Sequence, residues 1–208
     1  MALNGIDISS WQSGINLAVV PSDFVVIKAT EGINYVNPDY MRAYEQAKAA
    51  GKCLGIYHYA NGGNIQAEAD YFLGNAGNRL GEAMLVLDWE AGNNASFGNC
   101  DYAWCKGWLD YVYQKTGVHP ILYCSQSISY KFDNIGNYGL WIAQYADNDP
   151  TGYQDAPWNE GEYACAIRQY TSCGRLSGYD GNLDLDKFYG GVEEWHKYTV
   201  SDKTNVVV

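Results

Sequence analysis

Apolar residues in this chain gather into short, nearly unbroken runs separated by stretches of helical periodicity. Ile6-Asp7-Ile8, Phe24-Val25-Val26-Ile27, Cys53 to Tyr59, Met84 to Leu87, Ile121-Leu122-Tyr123, Leu140 to Tyr145 and Cys165 to Tyr170 read as buried strands. Asn37-Pro38-Asp39 opens the clearest helix, with Pro38 suited to a first turn, Tyr40, Met41, Tyr44 and Ala47 at helical spacing, and Gly51 just past the end. Ile65 to Leu73 and Tyr102 to Tyr113 give two more helices. Strand and helix in alternation predict right-handed crossovers and a mainly parallel sheet. With about eight strands, a closed barrel competes with an open doubly wound sheet. No Gly-x-Gly-x-x-Gly turn follows the first strand, which weakens the nucleotide-binding form of the open sheet.

A barrel carries its chemistry at the C-terminal ends of its strands. Polar residues collect at those places: Asp7 near the end of the first strand, Lys28 and Glu31 after the second, Tyr57 and Tyr59 on the third. Asp88 and Glu90 follow at the fourth, Tyr123 at the fifth, Tyr145 at the sixth and Gln169 at the seventh. The most informative of these is Met84-Leu85-Val86-Leu87-Asp88-Trp89-Glu90, an apolar run ending in two carboxylates two residues apart. Alternation along a strand points both the same way, with Cα atoms roughly 6.5 to 7 Å apart. Paired acids at that separation suit glycoside hydrolysis, in which one protonates the leaving oxygen and the other supports the developing positive charge or the attacking group. Asp-x-Glu alone is a weak signal, and its place after a buried strand strengthens it.

The 208 residues suit one large domain. Twenty-four acidic against 13 basic residues give a net charge of −11, which argues against nucleic acid or an anionic membrane as partner. The 19 tyrosines and 7 tryptophans offer flat rings suited to stacking on sugars. No run approaches the roughly 18 apolar residues of a membrane span. No Sec-type signal is visible at Met1-Ala2-Leu3-Asn4-Gly5, so synthesis in the cytoplasm with release by lysis, or a trimmed secreted protein, is expected. The six cysteines lack a Cys-x-x-Cys pair and the matching histidines of a zinc site, so neither a metal nor another cofactor is expected. Cys53 and Cys124 read as buried thiols, and Cys165 with Cys173 as a pair that could close a hairpin.

The ordered blocks Gly5-Ile6-Asp7-Ile8-Ser9-Ser10-Trp11-Gln12, Phe24 to Gly32, Gly55-Ile56-Tyr57-His58-Tyr59, Leu87-Asp88-Trp89-Glu90, Leu140 to Tyr145 and Gly181-Asn182-Leu183-Asp184-Leu185-Asp186 resemble the family 25 glycoside hydrolases, also called Ch-type lysozymes or N-acetylmuramidases. The resemblance implies an α/β fold: an irregular TIM-like (β/α) barrel of about eight strands and fewer than eight helices. It implies a catalytic barrel over residues 1–190, with 191–208 a C-terminal extension or linker. The implied reaction is hydrolysis of the β-1,4 bond between N-acetylmuramic acid and N-acetylglucosamine in peptidoglycan glycan strands, by a monomer acting on the bacterial cell wall. Carried over by position, Glu90 is the general acid, Asp88 its neighbouring carboxylate, and Asp7 and Asp184 the flanking acids. Net retention through the substrate's own N-acetyl group, steadied by Asp88, is the expected route.

Lys28, Glu31, Tyr57, Tyr59, Tyr123, Trp141, Tyr145 and Gln169 are the substrate-binding candidates, with Tyr59, Tyr123, Trp141 and Tyr145 as the sugar platform. Crowded carboxyls cannot all ionise, so at least one should hold its proton near neutrality. Arg168 stands where the family usually has tryptophan, and is expected to reorganise local packing or pair with a carboxylate. Leu183-Asp184-Leu185-Asp186 stands where it usually has Val-Asp-Leu-Asn. Asp180 and Asp186 are read as loop and turn residues, and His58, facing away from Tyr57 and Tyr59, as a structural histidine. A chitinase-like hydrolase and a non-catalytic sugar-binding barrel are the competing functions.

Overall fold

The structure, a computed structural model, describes residues 1–203; residues 204–208, the end of the segment expected as an extension or linker, lie outside the described residues. The apolar runs form β1 (Leu3–Ile8), β2 (Phe24–Glu31), β4 (Cys53–Tyr59), β5 (Met84–Asp88), β6 (Ile121–Ser125), β7 (Gly139–Ala143) and β8 (Ile167–Leu176). Two strands had no counterpart among those runs, the short β3 (Tyr35–Val36) and the long β9 (Tyr179–Phe188). The helices are α1 (Tyr40–Ala49), α2 (Ile65–Ala76), α3 (Asp101–Thr116), α4 (Gln126–Ser129) and α5 (Val192–Lys197). Asp39 caps α1, so Pro38 lies one residue outside the helix rather than in its first turn.

The sheet closes on itself. Its order is β1-β9-β8-β7-β6-β5-β4-β2, with β1 pairing back to β2 and β3 hanging as an extra antiparallel strand on β2. Neighbours from β1 through β8 run parallel, and β9 is antiparallel to both β8 and β1. The barrel is therefore mixed and irregular, with fewer helices than strands, as the resemblance implied. The open doubly wound alternative is overturned. From β7 to β8 the chain crosses by a loop over 144–166 instead of a helix.

Strand alternation sorts the apolar residues into two cores. Val25, Ile27, Ile56, Leu85, Leu87 and Leu122 pack outward beneath the helices with Phe72, Trp108 and Leu109. Phe24, Val26, Met84, Val86, Ile121, Ile167 and Phe188 fill the barrel interior. Gly5 belongs to this inner wall because the Phe24 ring occupies the space a side chain there would need, with a Cβ falling 2.4 Å from it. Trp195 of α5 plugs the same end, fully buried against Phe24 and Phe188 at ring centroids of 4.6 and 5.1 Å, with Nε1 donating to the Leu54 carbonyl. The N-terminal end of the barrel is thus apolar and sealed, leaving the inward positions at the other end for polar side chains.

Candidate active site

Asp88 ends β5 and Glu90 follows two residues on, so both face the mouth of the barrel. Asp7 of β1 lies directly opposite Asp184 of β9 in their antiparallel register. The four carboxyls line one cavity of about 260 Å³ together with Ser9, Trp11, Lys28, Tyr57, Tyr59, Tyr123, Trp141, Tyr145 and Gln169. Every residue nominated from the sequence meets there except Glu31. Its Oε2 pairs with Lys28 Nζ at 2.7 Å, so it positions the lysine that lines the cavity. Both residues lie within β2, which runs further than its apolar core predicted because Thr30 and Glu31 still pair with β3.

Desolvation dominates the electrostatics. Burial, then Glu90, pushes the Asp88 carboxyl well above the ordinary carboxylate range, and burial, then Asp184, does the same to Asp7. Burial and Glu90 raise Asp184 to about 6. Glu90, less enclosed, is also raised by burial, while the Tyr123 hydroxyl and Lys28 draw it back. Burial alone therefore holds a proton on Asp88 more firmly than on Glu90, so desolvation does not by itself single out Glu90 as the acid.

Hydrogen bonds join the acids into one network. The Tyr123 hydroxyl donates to Gln169 Oε1 at 2.9 Å, the Tyr145 hydroxyl donates to the same oxygen, and Gln169 Nε2 donates to Asp7 Oδ2 at 2.6 Å. A phenol has one proton. Tyr123 has two acceptors within reach for it, Gln169 Oε1 and the adjoining Glu90 carboxyl, whose pKa the hydroxyl lowers. Tyr123 and Gln169 thus link the carboxyl that follows β5 to the carboxyl of β1.

The aromatic candidates divide. Tyr57 presents its hydroxyl to all four acids, which together with burial raise its pKa. Tyr59 is half-buried, with its ring 4.5 Å from Lys28 Nζ and its hydroxyl donating to the Ala91 carbonyl at 2.8 Å. Trp141 is 2% exposed and packs edge-on against Tyr123, which makes it cavity floor and removes it from the stacking platform. Trp11, 89% exposed on the turn after β1, lines the rim and was given no role from the sequence. The available signal was an aromatic four residues past a strand-end acid.

Asp180 lies exposed beside the β8–β9 turn, but Asp186 is no turn residue. It lies inside β9, fully buried, where Oδ1 accepts from Trp141 Nε1 at 2.9 Å. Arg168 points out of the barrel and pairs with no carboxylate among the described residues; its guanidinium binds the carbonyls of Trp158 and Asn159 and packs over the Tyr163 ring. It organises the loop before β8. Cys165 and Cys173 are free: they lie eight residues apart along extended chain, about 25 Å, which no disulfide spans. His58 faces outward, held between Thr30 Oγ1 at 2.8 Å and Glu68 Oε2 at 3.1 Å.

Comparisons with known proteins agree with this fold. The model of the family described as Glycosyl hydrolases family 25 matches residues 6–179. The N,O-diacetylmuramidase of a Chalaropsis species is 38% identical over 141 residues, covering 60% of this chain and 67% of that protein. The solved lysozyme of Streptomyces coelicolor superposes with a TM-score of 0.76 at 27% identity, covering 95% of this chain and 96% of that one. In fold alone, the catalytic domain of endolysin ply40 from the Listeria monocytogenes bacteriophage P40 matches at a TM-score of 0.80 and 24% identity, covering 95% and 98%. With the mixed barrel, the strand-end acids and a family match that takes in β1 through the start of β9, the chain belongs to the family 25 glycosyl hydrolases.

Proposed function

We propose that this chain is a lysozyme of the muramidase type, hydrolysing the β-1,4 bond between N-acetylmuramic acid and N-acetylglucosamine in bacterial peptidoglycan. The observation that carries the reading is the convergence of Asp7, Asp88, Glu90 and Asp184 on one sugar-sized cavity, where burial raises the pKa of all four and so favours a proton donor there. Relatives that carry the names N,O-diacetylmuramidase and lysozyme support the substrate class.

In the proposed route Glu90 gives its proton to the glycosidic oxygen as the bond from that oxygen to the sugar's C1 breaks. The carbonyl oxygen of the sugar's own acetamido group closes on C1, and Asp88 accepts the hydrogen bond of its N–H. Asp88 suits this task because its Oδ1 is buried and has no partner among the described residues. Asp7 and Asp184 face the ring, where positive charge develops. Water then attacks C1 from the side the leaving group has vacated, the bond from C1 to the acetamido oxygen breaks to restore the N-acetyl group, and the water's proton passes to the Glu90 carboxylate, giving net retention.

The test is turbidity loss of purified peptidoglycan with wild type and Glu90→Gln in parallel, followed by mass spectrometry of the fragments and proton NMR of the first anomer formed. Clearing by wild type alone, with muramic acid at the reducing ends, is the expected result. Cleavage of chitin oligomers without cleavage of walls would move the assignment to a chitinase-like enzyme, and binding without turnover to a sugar-binding barrel. The inverted anomer appearing first would remove the acetamido route while leaving the substrate assignment intact.

A further inference from the structure

Asp186 is an acid that the reaction above does not use. On β9 it lies between Gly5 of β1 and Gln169 of β8, one inward position deeper than Asp184. No part of it reaches solvent. Oδ1 is occupied by Trp141 Nε1, while Oδ2 is buried and finds no N–H or O–H donor among the described residues. The group that Oδ2 can meet is the Asp7 carboxyl, which lies within hydrogen-bonding reach. Two carboxyls in contact in a dry interior need a proton between them.

The far side of Asp7 decides which of the two carries it. Two tyrosine hydroxyls converge on Gln169 Oε1, which turns Nε2 of that amide onto Asp7 Oδ2 at 2.6 Å. The reversed amide would set a carbonyl oxygen against a carboxylate, so this orientation is fixed by its surroundings. Asp7 accepts from Gln169, and Asp186, with its Oδ1 already accepting from Trp141, has Oδ2 free to bear the proton.

We propose that Asp186 is a positioning residue: a buried, protonated carboxyl that donates a hydrogen bond from Oδ2 to Asp7 and holds Asp7 as an oriented anion at the cavity floor. The proposal rests on the reading of Asp7 as a flanking acid of the muramidase site. The charged and titratable groups around Asp186 favour its neutral form. Asp7 of β1 and Asp184 of β9 raise its pKa, as burial does, and Tyr145, Tyr153 and Tyr170 complete the titratable surroundings. No lysine or arginine is among these groups. Lys187, the next residue, points out of the barrel to Glu160. Loss of the Asp186 proton would set a second anion against Asp7 with only the Trp141 N–H to stabilise it.

Two variants and two readouts test this. Asp186→Asn keeps a donor that does not titrate, and Asp186→Ala removes it. Infrared difference spectroscopy of the whole protein at pH 7 is expected to show a protonated-carboxyl stretch in wild type that Asp186→Asn loses. In peptidoglycan hydrolysis, Asp186→Ala should lower kcat by roughly thirtyfold or more with KM within about threefold, and Asp186→Asn should recover at least about tenfold of that loss. Identical carboxyl bands in wild type and Asp186→Asn would show Asp186 to be ionised and overturn the proposal. Equal impairment of the two variants, or full activity of Asp186→Ala, would overturn it as well. Should wild type not cleave peptidoglycan, the muramidase reading fails, and the infrared comparison still decides where the proton sits.

Discussion

The two faces of β4 carry buried polar side chains that are handled in opposite ways. On the outer face, His58 is bonded at both ring nitrogens, to Thr30 and Glu68, and stacked on Trp108 at 5.8 Å. Glu68 in turn accepts from the backbone of Asn61 at 2.9 Å and Gly63 at 2.6 Å. On the inner face, one residue to either side, Tyr57 looks onto all four site acids and Tyr59 onto Asp88 and Glu90, acids whose pKa values burial drives upward. Asp88 Oδ1 there has no partner among the described residues. A buried network with every group satisfied makes a fold rigid and unique. One that is short of partners and crowded with like charge is tolerated where a substrate or a developing charge supplies what is missing. Side-chain alternation alone separates the two, so β4 is at once scaffold and site wall.

The sharpest way to break this contrast is to disarm one face and watch the other. Glu90→Gln removes the proton donor while keeping volume, and kcat for peptidoglycan should fall by about a thousandfold or more. Its melting temperature should hold or rise, because a carboxyl under upward pressure has been neutralised. A large loss of stability in Glu90→Gln would mean that the inner face is scaffold too. Glu68→Ala makes the reciprocal experiment. It strips partners from the His58 ring and from two backbone N–H groups, and should cost about 2–4 kcal/mol of unfolding free energy in a denaturant titration. Activity per folded molecule should stay within about twofold, provided the outer network acts only through the fold.

How far each face could be read from the sequence follows from the same physics. The outer face of β4 was legible, since a histidine between two tyrosines on a strand must point the other way. The parallel strands were legible because both of their faces are buried, which writes them as apolar runs. β9 was hidden because Leu183-Asp184-Leu185-Asp186 alternates apolar and acidic residues, the pattern of a strand with one face in water. Its acids face inward only because β9 is the strand that closes the barrel between β8 and β1, and closure is a property of the whole sheet. Asp186 was read as a turn residue for that reason. Trp141 was mistaken for a sugar platform because spacing gives the direction of a side chain but not its depth. The family resemblance supplied the four site acids in advance, while the direction of the hydrogen bonds among them needed the geometry.

A gentler test concerns the stability that the crowded face withholds. Asp184 is raised from an ordinary carboxylate value to about 6 by burial and by Glu90. Below about pH 4 the group is protonated both folded and unfolded, so it makes no difference there. As pH rises toward 6 the unfolded chain releases the proton first. The folded state then binds more protons, and stability declines until the folded group has also ionised. Asp184→Asn abolishes that decline. The variant should gain on the order of 1–3 kcal/mol over wild type at pH 7.5, a few degrees in melting temperature, and the gain should vanish near pH 4. A gain of the same size at both pH values would show that packing and not ionisation is responsible.

The smallest effect expected is at Tyr59, where ring and hydroxyl belong to different sides of the comparison. The hydroxyl is already satisfied, donating to the Ala91 carbonyl on the loop after β5, while the ring lies under Lys28 and lines the cavity. If the sugar uses the ring, Tyr59→Phe keeps the stacking surface and the cation contact. KM should then change by less than about twofold, and the lost hydrogen bond should cost about 0.5–1 kcal/mol of stability. Tyr59→Ala removes the ring as well and should raise KM by about tenfold, the order expected when an aromatic contact is lost. A tenfold rise in KM already present in Tyr59→Phe would mean that the hydroxyl leaves Ala91 to bind the sugar. Tyr59 would then belong with the unsatisfied groups of the inner face, and the bond to Ala91 would be a resting contact exchanged when substrate enters.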